Sequence, residues 1–312
     1  MKKTVIIICA ALVLCAALCI TAVHFTGKND VSETSETDGI TTEAADTEEE
    51  EIVFEDLSAE RGYGLSLVQI DKESPRYDEP YYVREDAEPT RTVTLVGKTV
   101  TVKYVESCEW LGRDLKDEYE DEDGNEYFFA EDGTFLSYIG GSELSSFSSA
   151  LYIDKGVAAD ITEDEAIVIA EKIGKEVFGE AFDKVKLERV KYEDGIYRVY
   201  YEQRLGADGS LLGLSYHASI LADGRIFGFS MSGVAALRDL DESKYELVKK
   251  EHVEREIAVN ASKIFGEKKV DFPVNEIMYI YKMYGKYVFH AMSETRSGGA
   301  DIYYEVTDVV KE

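Results

Sequence analysis

The sequence predicts an α+β fold of tandem units, each an amphipathic helix followed by an antiparallel hairpin, and three observations carry that reading. Thr162-Glu163-Asp164-Glu165 forms a capping box, after which Ala166, Ile169, Ala170, Ile173 and Val177 recur at helical spacing up to Phe178-Gly179. A second stripe, Val253, Ile257, Ala261, Ile264 and Phe265, ends at Gly266, and two alternating runs around a glycine follow each helix. The first pair is Val185–Tyr192 and Ile196–Glu202 about Asp194-Gly195, and the second is Ile277–Tyr284 and Lys286–Glu294 about Gly285. Finally, Asp-Gly recurs at 123, 132, 194, 208 and 223 between aromatic and β-branched runs, so the flanking segments should be neighbouring antiparallel strands. An apolar helix stripe must cover one face of such a sheet.

The elements follow in order. Lys2 and Lys3 precede an uncharged apolar stretch, Thr4–Phe25, which at ~1.5 Å per residue is long enough to span a bilayer. Lysines on its short N-terminal side place that end in the cytoplasm and everything after it outside. Residues 1–26 are therefore expected to be a transmembrane signal-anchor, with secretion after signal cleavage as the alternative. Residues 27–60 carry thirteen carboxylates against the single Lys28, with almost no aromatics, and are expected to be a disordered acidic linker. All 21 tyrosines lie at or beyond Tyr63, where order should begin.

Residues 61–158 read as a β-rich N-terminal unit. Its first hairpin runs from Thr92 to Tyr104, with Gly97 at the first turn position, and a later stretch, Tyr127–Tyr138, reads like a degenerate copy of Ser219–Phe229. Residues 159–235 and 236–312 are the two helix-and-hairpin units. Ile161-Thr162-Glu163-Asp164-Glu165-Ala166, the strands that follow and the closing Asp223-Gly224-Arg225-Ile226 resemble the PepSY domain, and more closely the tandem PepSY-like repeats of the YcdB/YcdC type in the Gram-positive cell envelope. The resemblance covers 161–231, and more distantly 248–306, where Lys249-Lys250-Glu251-His252 replaces the capping box. It implies a non-enzymatic envelope module, in some relatives a restraint on peptidases, and offers no catalytic motif.

Composition excludes other classes. A formal charge of −29 over 312 residues repels nucleic acid and anionic headgroups. Three of the four cysteines, Cys9, Cys15 and Cys19, fall in the anchor, so Cys108 stands alone outside it, as a small buried hydrophobe or a reactive thiol. No zinc spacing links it to His217, His252 or His290, and no calcium loop, P-loop or dinucleotide fingerprint occurs, so neither a metal nor a cofactor is expected. Ser145–Ser149 lacks a nucleophile-elbow context, His217 and His290 read as strand histidines, and no catalytic residue is assigned.

Tyrosine is the remaining signal. Tyr197, Tyr201, Tyr281 and Tyr287, in the two C-terminal hairpins, are the candidate contacts for an envelope protein or peptide partner, since tyrosine offers a large amphipathic surface. In a regular strand Tyr197, Val199 and Tyr201 share one face and Tyr200 takes the other, with either face open to burial. The expected function is a non-catalytic, extracytoplasmic, membrane-anchored binding or regulatory module. An envelope hydrolase using surface carboxylates and a structural scaffold are the alternatives.

Overall fold

The computed structural model describes residues 56–70, 80–109, 115–140, 159–265, 273–295 and 298–308. The expected anchor, the acidic stretch as far as residue 55 and the Ser145–Ser149 run lie outside the described residues. Among the described residues no helix is long and apolar enough to cross a membrane.

Turn chemistry sets the strand order. Each of the five Asp-Gly turns joins neighbouring antiparallel strands: β5 (Lys116–Glu120) to β6 (Glu126–Ala130), β6 to β7 (Phe135–Ile139), β8 (Lys186–Glu193) to β9 (Ile196–Leu205), β9 to β10 (Leu211–Leu221), and β10 to β11 (Ile226–Ser232). At four of the five only the glycine has positive φ, whereas Asp194 joins Gly195 there with φ 54° and 75°. At three of the turns the aspartate accepts from the backbone two residues on, Asp132 from Thr134 N at 2.9 Å, Asp208 from Ser210 N and Asp223 from Arg225 N at 3.1 Å. The expected placement of Gly97 needs correcting. β3 (Thr90–Leu95) and β4 (Lys98–Cys108) close with Leu95 opposite Lys98, so Gly97 is the second turn residue and Val96 takes the first at φ 49°.

Among the described residues, fourteen strands form one sheet. That overturns the expectation of tandem helix-plus-hairpin units. β10 is the joint: β9 flanks it on one side, while on the other Leu211 and Leu212 run parallel to Met278 and Tyr279 of β12 (Met278–Met283), and residues 215–220 run antiparallel to β11. Both helical segments thus share a single strand ladder. They also share one core, since Ala170 and Ile173 of the helix Glu163–Phe178 and Val253 and Ile257 of the helix Lys250–Phe265 belong to the same buried cluster. The sheet continues through β7 to β4, and at its other end β13 (Lys286–Thr295) and β14 (Gly298–Thr307) are followed by β1 (Gly64–Val68), paired antiparallel to β14. No tandem pattern contains that last pairing, because it joins the first described strand to the last.

We number the helices α1 (Ser58–Arg61), α2 (Glu163–Phe178) and α3 (Lys250–Phe265). α2 is capped locally: Thr162 Oγ1 accepts from Glu165 N at 3.2 Å, and Glu165 Oε2 accepts from Thr162 N at 2.8 Å. α3 is capped from a distance, by Asp208 Oδ2 accepting from Lys250 N at 2.8 Å, which ties its start to the β9–β10 turn. Gly174 in α2 lies where a Cβ would come within 2.3 Å of the Phe182 ring, so the missing side chain lets that ring close against the helix. The Arg61 guanidinium pairs with Glu256 of α3, their side chains only 5% and 8% exposed, and Asn260 Nδ2 donates to Glu256 Oε1 at 2.9 Å. Tyr304 places a hydroxyl near this pair with no hydrogen-bond partner among the described residues.

Candidate functional site

Alternation divides every strand between two faces. On β9, Tyr197, Val199 and Tyr201 turn toward α2 and are buried with Tyr216, Ala218 and Ile220 of β10. Tyr216 donates to the Ala170 carbonyl of α2 at 2.8 Å, and burial drives its hydroxyl far above the usual tyrosine range. Both α2 and α3 bury their apolar residues on this side, and no described helix contributes to a buried cluster on the other.

The four sequence-predicted contact tyrosines are therefore divided. Tyr197 and Tyr201 are 7% and 4% exposed, donating to the Ile161 carbonyl at 2.8 Å and to Glu171 Oε1 at 3.3 Å respectively, so their side chains are built into the core. Tyr287 is half-buried on the same side. Tyr281 is half-buried on the opposite face, beside the small cluster of Met283, Val288 and Tyr303. The period-two pattern had left both faces of β9 equally eligible for burial. Two hydrogen bonds from tyrosine hydroxyls to the helical layer decide it.

The helix-free face has its own order. Arg189 of β8 stands opposite Tyr200 of β9, Tyr200 opposite His217 of β10, and His217 opposite Ser230 of β11. The line runs on through Ser137 of β7, Phe128 of β6 and Glu118 of β5 to Glu106 of β4. Directly opposed residues share a face, so these eight side chains form one row. In the adjoining row Lys191, Arg198, Ser219 and Gly228 are followed by Ile139, Glu126, Glu120 and Lys103. The face thus passes from cations through hydroxyls to carboxylates.

Ring contacts rigidify the basic end. The Arg189 guanidinium lies 4.3 Å from the Tyr200 ring centroid, and Tyr200 stacks on His217 at 4.6 Å. Burial, and then Arg198 and Arg189, push the His217 pKa down to about 4, so the ring is neutral near pH 7. At the acidic end, burial and then Glu126, Glu106 and Glu120 push Glu118 up to about 7. Burial followed by Glu120 also raises Glu126. Carboxylates crowd there against one another with one cation, Lys103, in their rows.

Across β12 to β14 the same face carries Tyr279, Tyr281, His290 and Tyr303. The Tyr279 and Tyr281 rings stack at 6.3 Å, His290 stacks on Tyr303 at 4.7 Å, and His290 Nε2 lies 2.7 Å from Asp301 Oδ1. His252 faces Tyr63, its Nδ1 2.9 Å from the hydroxyl. Cys108 is half-buried at the end of β4. Among the described residues no group of three His, Cys, Asp or Glu could hold a metal ion.

Sequence reasoning missed Tyr200, His217, Arg189 and Glu118 as one surface. Each is ordinary in its own strand, and only strand register aligns them.

No protein-family model matches the chain, and no curated protein matches it. Among solved structures, the YpeB C-terminal domain of Bacillus megaterium is similar, with 12% identity and a TM-score of 0.27 over 72% of this chain and 91% of that one. So slight a superposition fixes neither the fold nor the role of the present chain.

Proposed function

We propose that the protein is a non-catalytic binding module, held outside the membrane by its N-terminal apolar segment, which presents the helix-free face of its sheet to a protein or peptide partner. The observation that supports this reading is the row from Arg189 to Glu106: charged, aromatic and hydroxyl groups in register on a face over which no described helix packs. Tyr200, half-buried and held by its stack on His217, supplies pre-ordered contact surface with little rotamer entropy left to lose. The acidic stretch of residues 27–60 would hold that face away from the bilayer. On this reading a restraint on an envelope peptidase is one form the binding could take.

Immobilised full-length chain should retain a defined envelope protein that a Tyr200→Ala/His217→Ala variant of equal thermal stability does not. Equal retention by both would overturn the reading. A hydrolase is the second reading, and Glu118 is the residue that favours it, since a half-buried carboxyl protonated up to about 7 among neighbouring carboxyl groups has the form of a general acid. Turnover of peptidoglycan or glycan substrates that Glu118→Gln abolishes would establish that reading in place of the first.

A further inference from the structure

We infer that the partner fitted by the helix-free face is a second copy of this chain, in a two-fold dimer that lays the basic end of each sheet on the acidic end of the other. This inference rests on the binding reading and names its partner.

The two ends cannot satisfy each other within one molecule. Six strand steps separate Arg189 from Glu118, about 29 Å at the usual spacing of paired strands. That is several times the screening length of about 8 Å at physiological salt. Arg189 and Lys191 have no ion-pair partner among the described residues, and Glu118 has only like charges close enough to shift it. Arg198 already holds Glu193 at 2.9 Å, an exposed pair that a new carboxylate could share.

An isologous contact requires that residue i meet j while j meets i. A two-fold axis parallel to the strands, between β7 and β11, meets that condition along the described row. Ser137 of one protomer then faces Ser230 of its partner, Phe128 faces His217, Glu118 faces the Tyr200 hydroxyl, and Glu106 faces Arg189. In the adjoining row Glu120 faces Arg198, and Ile139 faces Gly228. Lys103 facing Lys191 is the one like-charged pair, at the rim of the contact, where screening is strongest. Small residues at the centre let two sheets approach to the ~10 Å of face-to-face packing. The register argues for a second copy over an unrelated acidic peptide: a peptide would answer the basic end alone, whereas a copy answers both.

The test is the association state of the full-length chain in detergent, by sedimentation velocity, with thermal unfolding as the control for folding. We expect a concentration-dependent monomer–dimer equilibrium that weakens at least tenfold between 50 and 500 mM salt, by a rough application of counterion screening. Arg189→Glu and Glu106→Arg should each weaken the dimer at least tenfold by the same argument, and the double variant should restore it, since it re-forms the pair with its signs exchanged. A monomer at all concentrations, a dimer indifferent to salt and to both single variants, or a double variant that fails to recover would overturn the inference. If the chain is monomeric yet still retains an envelope protein through Tyr200 and His217, the dimer fails and the binding reading stands. If neither is seen, both fail.

Discussion

The two faces of the sheet are built from alternate residues of the same strands, yet they use different physics. On β9 the helix-covered set is Tyr197, Val199 and Tyr201, and the helix-free set is Arg198, Tyr200 and Glu202. The first set is held by volume, because the Tyr201 ring packs against Phe182 and Tyr216 at centroid distances of 5.1 and 5.8 Å and the Tyr197 and Tyr201 hydroxyls find fixed acceptors. The second set is held by electrostatics, through an arginine over a ring, a stacked neutral imidazole and an ion pair at Glu193. A protein that spends half of each strand on its core still has the other half available for recognition, provided no second layer of helices claims it.

The comparison breaks most visibly where a charge has been put on the covered side. Arg61→Met leaves Glu256 buried without its counter-ion and should destabilise by about 3–5 kcal/mol, read from urea unfolding. Glu256→Leu in the same background should recover much of that loss. Ordinary core truncation comes next: Ile257→Ala, with its side chain fully buried, should cost about 2–5 kcal/mol. Thr162→Ala removes one half of a reciprocal cap and should cost about 1 kcal/mol. Arg189→Ala on the helix-free face should change unfolding by less than about 0.5 kcal/mol, since an exposed arginine with no ion pair contributes little to stability.

The helix-free face should declare itself through pH instead. With Glu118 raised from 4.5 to about 7, the folded chain binds more protons than the unfolded one inside that window, so its contribution to stability falls as pH rises from about 4.5 to 7. His217, lowered from 6.5 to about 4, works in the opposite sense: the unfolded chain takes up the proton first, so stability falls as pH drops from about 6.5 to 4. The two windows overlap with opposite sign and largely offset each other in the parent, so Glu118→Gln should leave stability falling as pH drops below about 6.5 and His217→Gln should leave it falling as pH rises from about 4.5 to 7, measured as the difference in unfolding midpoint between variant and parent across pH 4 to 8. Identical pH profiles for parent and variants would show that neither group is held away from water as described.

Local features were legible in the residues themselves. The Thr162–Glu165 box, the helical stripes and the five Asp-Gly turns rest on interactions within a few residues, and their chemistry survives folding unchanged. Gly97 was displaced by one place because the alternating pattern suits a Gly-Lys or a Val-Gly turn one register step apart, and here both Val96 and Gly97 take positive φ, closing on Leu95 and Lys98. What could not be read was whatever depends on partners far along the chain. The β10–β12 parallel contact, made by only two residue pairs, converts two apparent repeats into one sheet, and the row from Arg189 to Glu106 exists only once eight strands are in register. Tyr200 shows the limit clearly. Its sequence neighbours, Tyr197 and Tyr201, look like better contact residues, and burial beneath α2 removes both.

The pairing of β1 with β14 has a consequence for how the molecule is made. Gly64 finds its place only opposite Thr307, and Arg61 meets Glu256 across 195 residues of chain. A ribosome delivers the first of these partners long before the second. Until the end of the chain emerges, a polar-flanked strand and a guanidinium destined for the interior must wait in water, and such distant closures are associated with slow folding. The last strand to arrive completes the fold at the point where the chain enters it.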